Sequence, residues 1–305
     1  MKATLMQDPR ETDKRYRSLV LTEWEVEEAS LGQISESLDL GGMDHYRVGE
    51  IFAGITTAPQ VAEGSTYDKF APMPGKNTFL PTYIYKFAFS ASEELRRFGL
   101  SGSINEYARL MAQIFAHTRK VQIYNVLNRG FNSAFATAYD GVELLGVHPL
   151  ANGGTFQNEL STAADLSEAT LEALIELHMR MPNEDGVITG DVPTVLAAAA
   201  SQWGTLRRLT GSNTTTLQGS GESGNAINAV VSAYNIVPHA TPFILDEDAS
   251  FLFGRRSPIK TLVAAAPSVK PIYVDPETDD WVWRAKGQWN VAPITWRGIV
   301  GTAGA

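Results

Sequence analysis

The sequence contains no cysteine among its 305 residues. Disulfide bonds and thiolate metal sites are therefore excluded, and a reducing cytosol is the expected place of synthesis. No run of about 18 or more apolar residues occurs, so we expect no membrane-spanning helix. The N-terminal stretch MKATLMQDPRETDKRYR also lacks the apolar segment of a signal peptide. Together these absences predict a soluble intracellular product.

Positive charge is also scarce, with 25 Lys and Arg against 34 Asp and Glu and a formal net charge of −9. Proteins that hold nucleic acid by its phosphates are usually basic, so the charge argues against that role. It is compatible with a protein that encloses nucleic acid without adhering to it. Apolar residues make up 44% of the chain, the ordinary balance of a folded protein. The length allows one elaborate domain or two lobes.

No motif supports a catalytic, cofactor-binding or metal-binding site. Gly219, Gly221 and Gly224 have the spacing of a dinucleotide fingerprint, but that motif needs a strand before it and a helix after it. Here it follows NTTTLQ, which favours a mobile loop. The five histidines are scattered, without the convergent spacing that zinc needs: His45, His117, His148, His178 and His239. We expect His117 and His178 to be structural residues within helices, and His148 to matter for loop shape.

Acidic clusters are the remaining candidates for a cation site. They lie at Glu184–Asp185, at Asp246–Asp248 and at Asp275–Asp280, and none has the spacing of an EF-hand loop. Solvated turns are the favoured interpretation. Asn213 begins a formal glycosylation sequon, which has no meaning without secretion. We therefore predict no catalytic residue, no cofactor and no metal, and a protein that is not an enzyme.

The most regular stretch runs from Ser103 to Gly130 and predicts a helix about 39 Å long. Its apolar residues recur at the i, i+3, i+4 spacing of a helix that faces a core. Ser103 and Glu106 form a potential capping box at its start. Arg129 would lie in the last turn, and Gly130 would end the helix in the left-handed conformation.

The segments before this helix are harder to place on a monomer. Residues 1–48 cannot bury much of themselves, so they either lie along another surface or form a frayed tail. Residues 49–91 predict two long strands joined by a tip near Pro72 to Asn77, where turn residues are dense. The second strand, TYIYKFAFS, alternates in the strand period. A two-stranded ribbon is marginal alone and needs a surface, on its own domain or on a neighbouring subunit.

The remaining elements follow from shorter patterns. SASEELRRFGL predicts a short helix, and the glycine-rich residues after Gly130 predict a long loop. In SEATLEALIELHMRMPNEDG a helix would bury Leu171, Leu174, Ile175 and either His178 or Met179. VPTVLAAAASQWGTLRRLTG predicts another helix, with Asp191 as N-cap and Pro193 in its first turn. From Val230 onward the pattern predicts short strands: AYNIVP, TPFILD, ASFLFG, PIKTLVAAAP, KPIYVD, DWVWRAK and QWNVAPITW, with a turn at Asp275–Asp280.

Two stretches carry a resemblance to a known family. They are GVHPLANGGTFQNEL (146–160), followed at once by the LSEATLEALIELHMRMPNEDG helix, and WNVAPITWRGIVGTAG (289–304). Together with the order of elements, they make the chain resemble the major capsid proteins of tailed double-stranded DNA phages. Those proteins have the HK97 fold, and within them the chain is similar to the Mu-like major head subunit.

The resemblance implies an α+β fold with the HK97 arrangement of parts. It implies an N-arm over 1–48, an E-loop over 49–90, and the first part of a P-domain over 91–159 with its spine helix at 103–130. An A-domain would cover 160–250, with a polar loop near Ser212–Asn225 directed toward a capsomer centre. C-terminal strands over 251–305 would complete the P-domain. The arm and the ribbon would then find their surfaces on neighbouring subunits.

The implied function is a major capsid protein that self-assembles into pentamers and hexamers of an icosahedral shell around phage double-stranded DNA. Its partners would be further copies of itself, a portal protein, a scaffold or decoration protein where one exists, and DNA without sequence-specific contact. It would reside in the virion after synthesis in the bacterial host cytoplasm. The segment before the E-loop is too short for a helical scaffolding segment. A scaffold would therefore be a separate protein, be already removed, or be unnecessary.

Some family members crosslink an E-loop lysine to an asparagine of a neighbouring subunit. Lys69 and Lys76 lie in the corresponding region, but no motif identifies a partner asparagine or a catalytic acid. We therefore predict no covalent crosslink. Two alternatives to the capsid hypothesis are an encapsulin-like protein compartment, which keeps the fold and changes the cargo, and a nucleotide-using enzyme built on Gly219–Gly224.

Overall fold

The structure is a computed structural model that describes residues 18, 22, 24–26, 30–52, 73–92, 101–135, 138–210, 235–270 and 273–305. The chain divides into two compact units, each built from three stretches of sequence. The first unit contains Met1–Tyr46, Leu80–Ile123 and Thr261–Val291. The second contains Arg47–Phe79, Tyr124–Lys260 and Ala292–Ala305.

The described helices are α1 (Ser101–Asn128), α2 (Glu168–Met179) and α3 (Trp203–Thr210), and a 3₁₀ turn, Ala200–Gln202, precedes α3. None of these described helices is long and apolar enough to cross a bilayer. The strands are β1 (Glu36–Asp39), β2 (His45–Phe52), β3 (Met73–Pro81), β4 (Tyr83–Ala91), β5 (Val147–Pro149), β6 (Thr155–Gln157), β7 (Pro193–Ala199), β8 (Val237–Thr241), β9 (Ser250–Gly254), β10 (Ile259–Val269), β11 (Tyr273–Val274), β12 (Trp281–Pro293) and β13 (Ile299–Thr302).

The strands form two larger sheets and two small ones. A five-stranded sheet has the order β1-β10-β12-β11, with β4 paired to β12, and belongs mainly to the first unit. A four-stranded sheet in the second unit has the order β13-β9-β7-β8, in which β7 and β8 are parallel. The pairs β2-β3 and β5-β6 form two-stranded sheets. Helices and strands are thus mixed in both units, as the α+β prediction requires.

The first unit is built around the aromatic face of its sheet. Successive residues of a strand point to opposite faces, so the odd-numbered residues of β4 and β12 share one side. Phe89 stacks on Trp283 at 4.7 Å, and Tyr85 stacks on Trp289 at 4.2 Å. Both tryptophans are fully buried against α1, which contributes Phe115 and its buried neighbours to the same cluster. Replacing one of these large side chains by Ala would cost about 3–5 kcal/mol.

The N-terminal segment was expected to find its surface on a neighbouring subunit, and for its described residues that expectation is wrong. Trp24 is 4% exposed and packs against Trp289 at 5.0 Å. Arg119 on α1 stacks over the Trp24 ring at 3.8 Å and donates to its carbonyl oxygen. Farther along, β1 pairs with β10, and Ile34 and Leu40 are buried. These residues complete the apolar core of their own unit, which explains why they are not frayed.

The long helix is confirmed, but both of its predicted ends are wrong. It begins at Ser101, so Ser103 and Glu106 lie within it rather than at its cap. It ends at Asn128, one residue before Arg129. Gly130 is not in the left-handed region; its N–H donates to the Leu127 carbonyl at 2.9 Å in a tight turn. A Cβ at this position would lie 3.0 Å from that oxygen, so the close packing, and not a positive φ angle, explains why the residue is glycine.

The predicted helix over VPTVLAAAASQWGTLRRLTG is also wrong in its first half. Residues Pro193–Ala199 form β7, between β8 and β9, and α3 begins only at Trp203. Leu196, Ala197 and Ala198 are fully buried in succession, as in a strand that is covered on both faces. A short apolar run has no period that separates a buried strand from a helix. Pro193 fits because the first residue of a strand tolerates proline.

The ribbon differs from its prediction in its partner. Met73–Asn77, expected at the tip, lie in β3, which pairs with β2. The strand expected to complete the ribbon is β4, and it pairs instead with β12 from Trp281↔Ala91 to Trp289↔Tyr83. Its aromatic side chains are attracted to the apolar core of the first unit, which a free ribbon does not offer.

Other predictions in this unit and the next are confirmed. α2 buries Leu171, Leu174, Ile175 and His178, and leaves Met179 exposed. Strands occupy most of the C-terminal segments, with the Asp275–Asp280 turn between β11 and β12. AYNIVP and TPFILD are exceptions, since β8 runs only from Val237 to Thr241, after Asn235 and Ile236 and before a turn. The helix expected over 90–100 is wrong at its start, because Ser90 and Ala91 lie in β4, and residues 93–100 lie outside the described residues. The polar loop with Gly219–Gly224 and Asn213, and Lys69, also lie outside them.

Candidate functional site

The histidines that the sequence singled out do not converge. His45 is exposed and its Nδ1 lies 2.6 Å from Asp44, whose carboxyl pKa is lowered by that hydrogen bond and by the charge of His45. His117 lies on an exposed position of α1, and His239 lies 2.7 Å from the Tyr124 hydroxyl. Among the described residues, no three His, Asp or Glu side chains are grouped to hold a metal ion.

His178 is buried and forms a pair with Asp191, whose side chain is partly exposed. The His178 side chain has no exposed surface, and its Nε2 lies 3.3 Å from the Asp191 carboxylate. Burial lowers the pKa of His178, although the Asp191 charge and hydrogen bond oppose that shift. A Cβ at Gly254 would overlap both side chains, so the end of strand β9 can lie this close to the pair only because the residue there is glycine. Asp191 therefore anchors the segment before β7 to α2 and is not the predicted helix cap.

The two stretches that carry the family resemblance meet at Trp296. His148 in β5 is fully buried and stacks on the Trp296 ring at 4.4 Å, with planes 8° apart. Phe156, its cross-strand partner in β6, stacks on the same indole at 5.7 Å. His148 Nδ1 donates to Asp140 at 2.7 Å, and that carboxylate is almost fully buried. His148 thus fixes the shape of this loop by a hydrogen bond on one ring atom and by stacking.

Asn158 ties the β5-β6 hairpin to the C-terminal strand. It is fully buried, its Oδ1 accepts from the Gly146 N–H at 2.8 Å, and its Nδ2 donates to the Leu144 carbonyl at 2.9 Å. The Gly301 N–H donates to the Asn158 carbonyl at 3.1 Å. A buried amide with these bonds is stabilising, whereas losing it would leave backbone groups unpaired.

Arg297 forms a second polar contact, with Glu184 and Tyr139. Its Nη2 donates to Glu184 Oε1 at 2.5 Å, its Nη1 to the Tyr139 hydroxyl at 3.0 Å and its Nε to the Pro182 carbonyl at 3.1 Å. The Tyr139 hydroxyl also donates to Glu184. The Glu184 side chain is only 9% exposed. The prediction that the Glu184–Asp185 cluster is a solvated turn is therefore wrong for Glu184.

This polar cluster, Asp140, His148, Asn158, Glu184, Trp296 and Arg297, holds segments together. Its carboxylates accept hydrogen bonds from Arg297, from the Tyr139 hydroxyl and from the His148 ring, and no serine, lysine or thiol nucleophile is placed beside a base within it. Sequence analysis missed the pair of Glu184 and Arg297, which are 113 positions apart. The only signal was indirect, because both residues lie in or directly after the stretches that carry the family resemblance.

The β2-β3 ribbon presents a different kind of surface. Arg47 donates to the Asn77 side chain at 3.2 Å and lies over the Phe79 ring at 5.9 Å, which links the two strands. Phe79 is 60% exposed. A two-stranded sheet with an exposed aromatic side chain has little stabilisation of its own. The ribbon is therefore a candidate contact surface.

Comparison with known proteins identifies a family for this chain. A family model described as phage capsid protein matches residues 78–301. No curated protein matches the chain significantly.

Solved structures show the same fold at low sequence identity. The chain is 14% identical to a virus-like particle protein from Pyrococcus furiosus, covering 96% of this chain and 99% of that one, with a TM-score of 0.54. It is 12% identical to a chain of the bacteriophage PhiM1 mature capsid, covering 88% and 84%, with a TM-score of 0.54. It is 15% identical to a chain of Mycobacterium phage Che8, covering 90% of this chain and 90% of that one, with a TM-score of 0.52. The predicted HK97-like fold is confirmed, while the narrower similarity to the Mu-like head subunit stays a prediction.

Proposed function

The chain belongs to the phage capsid protein family, and from this premise we propose that its copies assemble into the pentamers and hexamers of an icosahedral shell around double-stranded DNA. The observation that carries the proposal is the family match over 78–301, which spans the described helices α1, α2 and α3 and, apart from β1, the strands of both larger sheets. The role is structural: subunits contact one another and enclose the cargo. The net charge of −9 supports it, because an acidic protein does not adhere to DNA through its phosphates.

We assign the parts of the HK97 fold to the following segments. Residues 1–48 form the N-arm, 49–90 the E-loop, 91–159 the first part of the P-domain, 160–250 the A-domain and 251–305 the C-terminal P-domain strands. α1 is the spine helix. The first compact unit, which joins α1 to β10 and β12, supports this view of the P-domain. β9 pairs with β13 on one side and with β7 on the other, so this sheet connects the C-terminal segment to the A-domain.

Neighbouring copies are the expected partners of the ribbon. The exposed Phe79 and the small size of the β2-β3 sheet favour burial in an assembled shell over exposure in a monomer. The described N-terminal residues contribute less to this argument, because Trp24, Leu31, Ile34 and Leu40 are already buried on their own unit. A portal protein, and a scaffold or decoration protein, would be further partners in a virion made in the host cytoplasm.

Electron microscopy of the purified protein tests the proposal. We expect closed particles of uniform diameter, or separate pentamers and hexamers, at protein concentrations where a control globular protein stays monomeric. Sedimentation velocity gives the mass of the intermediate species. A chain that stays monomeric at high concentration over a wide range of salt would contradict the proposal.

An encapsulin-like compartment is the second candidate, favoured by the similarity to the virus-like particle from Pyrococcus furiosus. Both candidates predict closed shells from the same fold. They differ in cargo, since a phage shell takes up DNA and a compartment takes up protein. Nucleic-acid content after nuclease treatment of particles isolated from infected cells distinguishes them: protected genome-length DNA supports the phage shell, and protein cargo alone supports the compartment.

A further inference from the structure

The outer face of the five-stranded sheet carries an unusual arrangement of positive charge. Lys86 in β4 is directly opposite Lys286 in β12, so both side chains leave the sheet on the same side. That side is opposite to the aromatic core, because the core uses the odd-numbered residues of these strands. Arg284 lies two residues from Lys286, on the same face, and its guanidinium covers the Tyr273 ring at 5.1 Å. We call Lys86, Arg284 and Lys286 the basic face.

The basic face lacks a counter-charge within the described part of the chain. Lys86 and Arg284 are exposed and Lys286 is half-buried, and no described carboxylate forms an ion pair with any of them. Like charges directly opposite each other destabilise a pair of antiparallel strands. An isolated subunit therefore gains nothing from this arrangement, whereas a bound anionic surface would make it favourable.

The chain also exposes unpaired negative charge, in the turn after β8. Asp246, Glu247 and Asp248 are all exposed, and no described lysine or arginine forms an ion pair with them. Leu245 beside them is 74% exposed. The basic face has a matching aliphatic side chain in Ile84, which is 52% exposed and lies on the same side as Lys86. Each surface thus combines unpaired charge of one sign with one exposed aliphatic residue.

We propose that the basic face binds the Leu245–Asp248 segment of a neighbouring copy of this chain. The inference rests on the proposed function, because it needs copies to associate. The contact joins two different surfaces, so it is heterologous and can repeat around a closed ring. Copies with a net charge of −9 repel one another at long range. The contact adds a local attraction between them, which sets their relative orientation.

Nucleic acid is the competing anionic partner, and the observations favour it less. The three positive side chains of the basic face would displace few counterions from a nucleic acid, so the face would bind phosphates weakly at physiological salt. The strong negative charge of the whole chain opposes the approach of a polyanion. A second copy, in contrast, brings three exposed carboxylates that form no ion pair among the described residues.

The test compares assembly of nuclease-treated wild type with three variants, by light scattering and electron microscopy. Lys86→Glu/Lys286→Glu should raise the concentration needed for assembly about tenfold or more, since two ion pairs become repulsions. Adding Asp246→Lys/Glu247→Lys to that variant should restore assembly, because the charges are then exchanged between the surfaces. Arg255→Glu/Arg256→Glu is the matched control: it changes the net charge equally, at two other exposed residues, and should assemble as wild type.

Folding of the variants is checked with the single change Lys286→Glu. It turns the like-charged cross-strand pair into an opposite-charged one, so its Tm as a dilute subunit should equal or exceed the wild-type Tm. Its assembly should nevertheless be weaker than that of wild type. If the two lysines had only a structural role, a variant with an equal or higher Tm would not assemble more weakly than wild type. Wild-type assembly should also weaken as NaCl rises from about 0.1 M to 1 M, where the Debye length falls from about 10 Å to 3 Å.

Each contrary result has a definite meaning. Normal assembly of Lys86→Glu/Lys286→Glu overturns the inference, and so does failure of the charge exchange to restore assembly. If the double reversal leaves assembly intact but reduces binding of a 20-base-pair DNA duplex probe, the face binds nucleic acid and the inference is wrong. A wild type that never associates removes both the proposed function and this inference, whereas the preceding results remove the inference alone.

Discussion

The buried pair of Arg297 and Glu184 offers the sharpest test of how the second unit is held together. Replacing Arg297 with Met removes three hydrogen bonds and leaves the Glu184 carboxylate, 9% exposed, with the Tyr139 hydroxyl as a donor. Removing one partner of a buried pair typically costs about 3–5 kcal/mol. The Arg297 side chain retains 19% exposure, so we expect a loss of about 3 kcal/mol in the free energy of unfolding.

The measurement is urea unfolding followed by tryptophan fluorescence and circular dichroism, at protein concentrations too low for assembly. Arg180→Met is the matched control, because Arg180 pairs with Glu176 at 2.8 Å but both side chains are more than half exposed. It should cost less than about 0.5 kcal/mol. In Arg297→Met/Glu184→Gln the loss should be smaller than the sum of the two single losses by about 1 kcal/mol or more. Equal costs for Arg297→Met and Arg180→Met, or strictly additive losses, would refute the reasoning.

Three further predictions concern pH, backbone strain and covalent chemistry. Burial lowers the folded-state pKa of His178, so as the pH falls the unfolded chain binds a proton at this histidine before the folded chain does. The free energy of unfolding should therefore fall by up to about 1.4 kcal/mol per pH unit below the ordinary pKa of 6.5, until the folded-state pKa is reached. His178→Asn should be less stable at neutral pH but should lose this slope in pH-dependent unfolding curves; an unchanged slope would exclude His178 as its source. Gly298 has φ +90° and a Cβ there would lie 2.6 Å from the Arg256 carbonyl oxygen, so Gly298→Ala should lower the Tm, with a loss of about 1–3 kcal/mol. Assembled shells should run as one monomer band on a boiled denaturing gel, and a ladder of larger bands would show that covalent crosslinks do form between subunits.

Where a periodic pattern spans many residues, sequence analysis was reliable. The spacing of Leu171, Leu174 and Ile175 located α2 and its buried face, and the long apolar rhythm located α1. Both patterns report which face of an element is apolar, a property of the local chain that survives in the fold. The exposed turns at Asp246–Asp248 and Asp275–Asp280 followed from composition for the same reason.

The errors arose where contacts distant in sequence decide the outcome. The run from Pro193 to Ala199 has no polar residue to set a period except Thr194, so only its place between β8 and β9 makes it a strand. Gly130 was expected to end α1 by its backbone freedom, but the structure uses its lack of a side chain. The pairing of β4 with β12 likewise depends on residues about 200 positions away.

The sequence by itself determined the balance of charge, the absence of thiol chemistry, the two main helices and the family to which the chain belongs. The tertiary structure alone decided that β4 lies against β12, that the N-terminal tryptophan is buried on its own unit, and that Glu184 pairs with Arg297. It also placed Lys86 opposite Lys286, which no local pattern reveals. The physical reason is that periodicity records how one segment faces water, whereas pairing depends on the free energy of contacts between segments that meet only when the chain has folded.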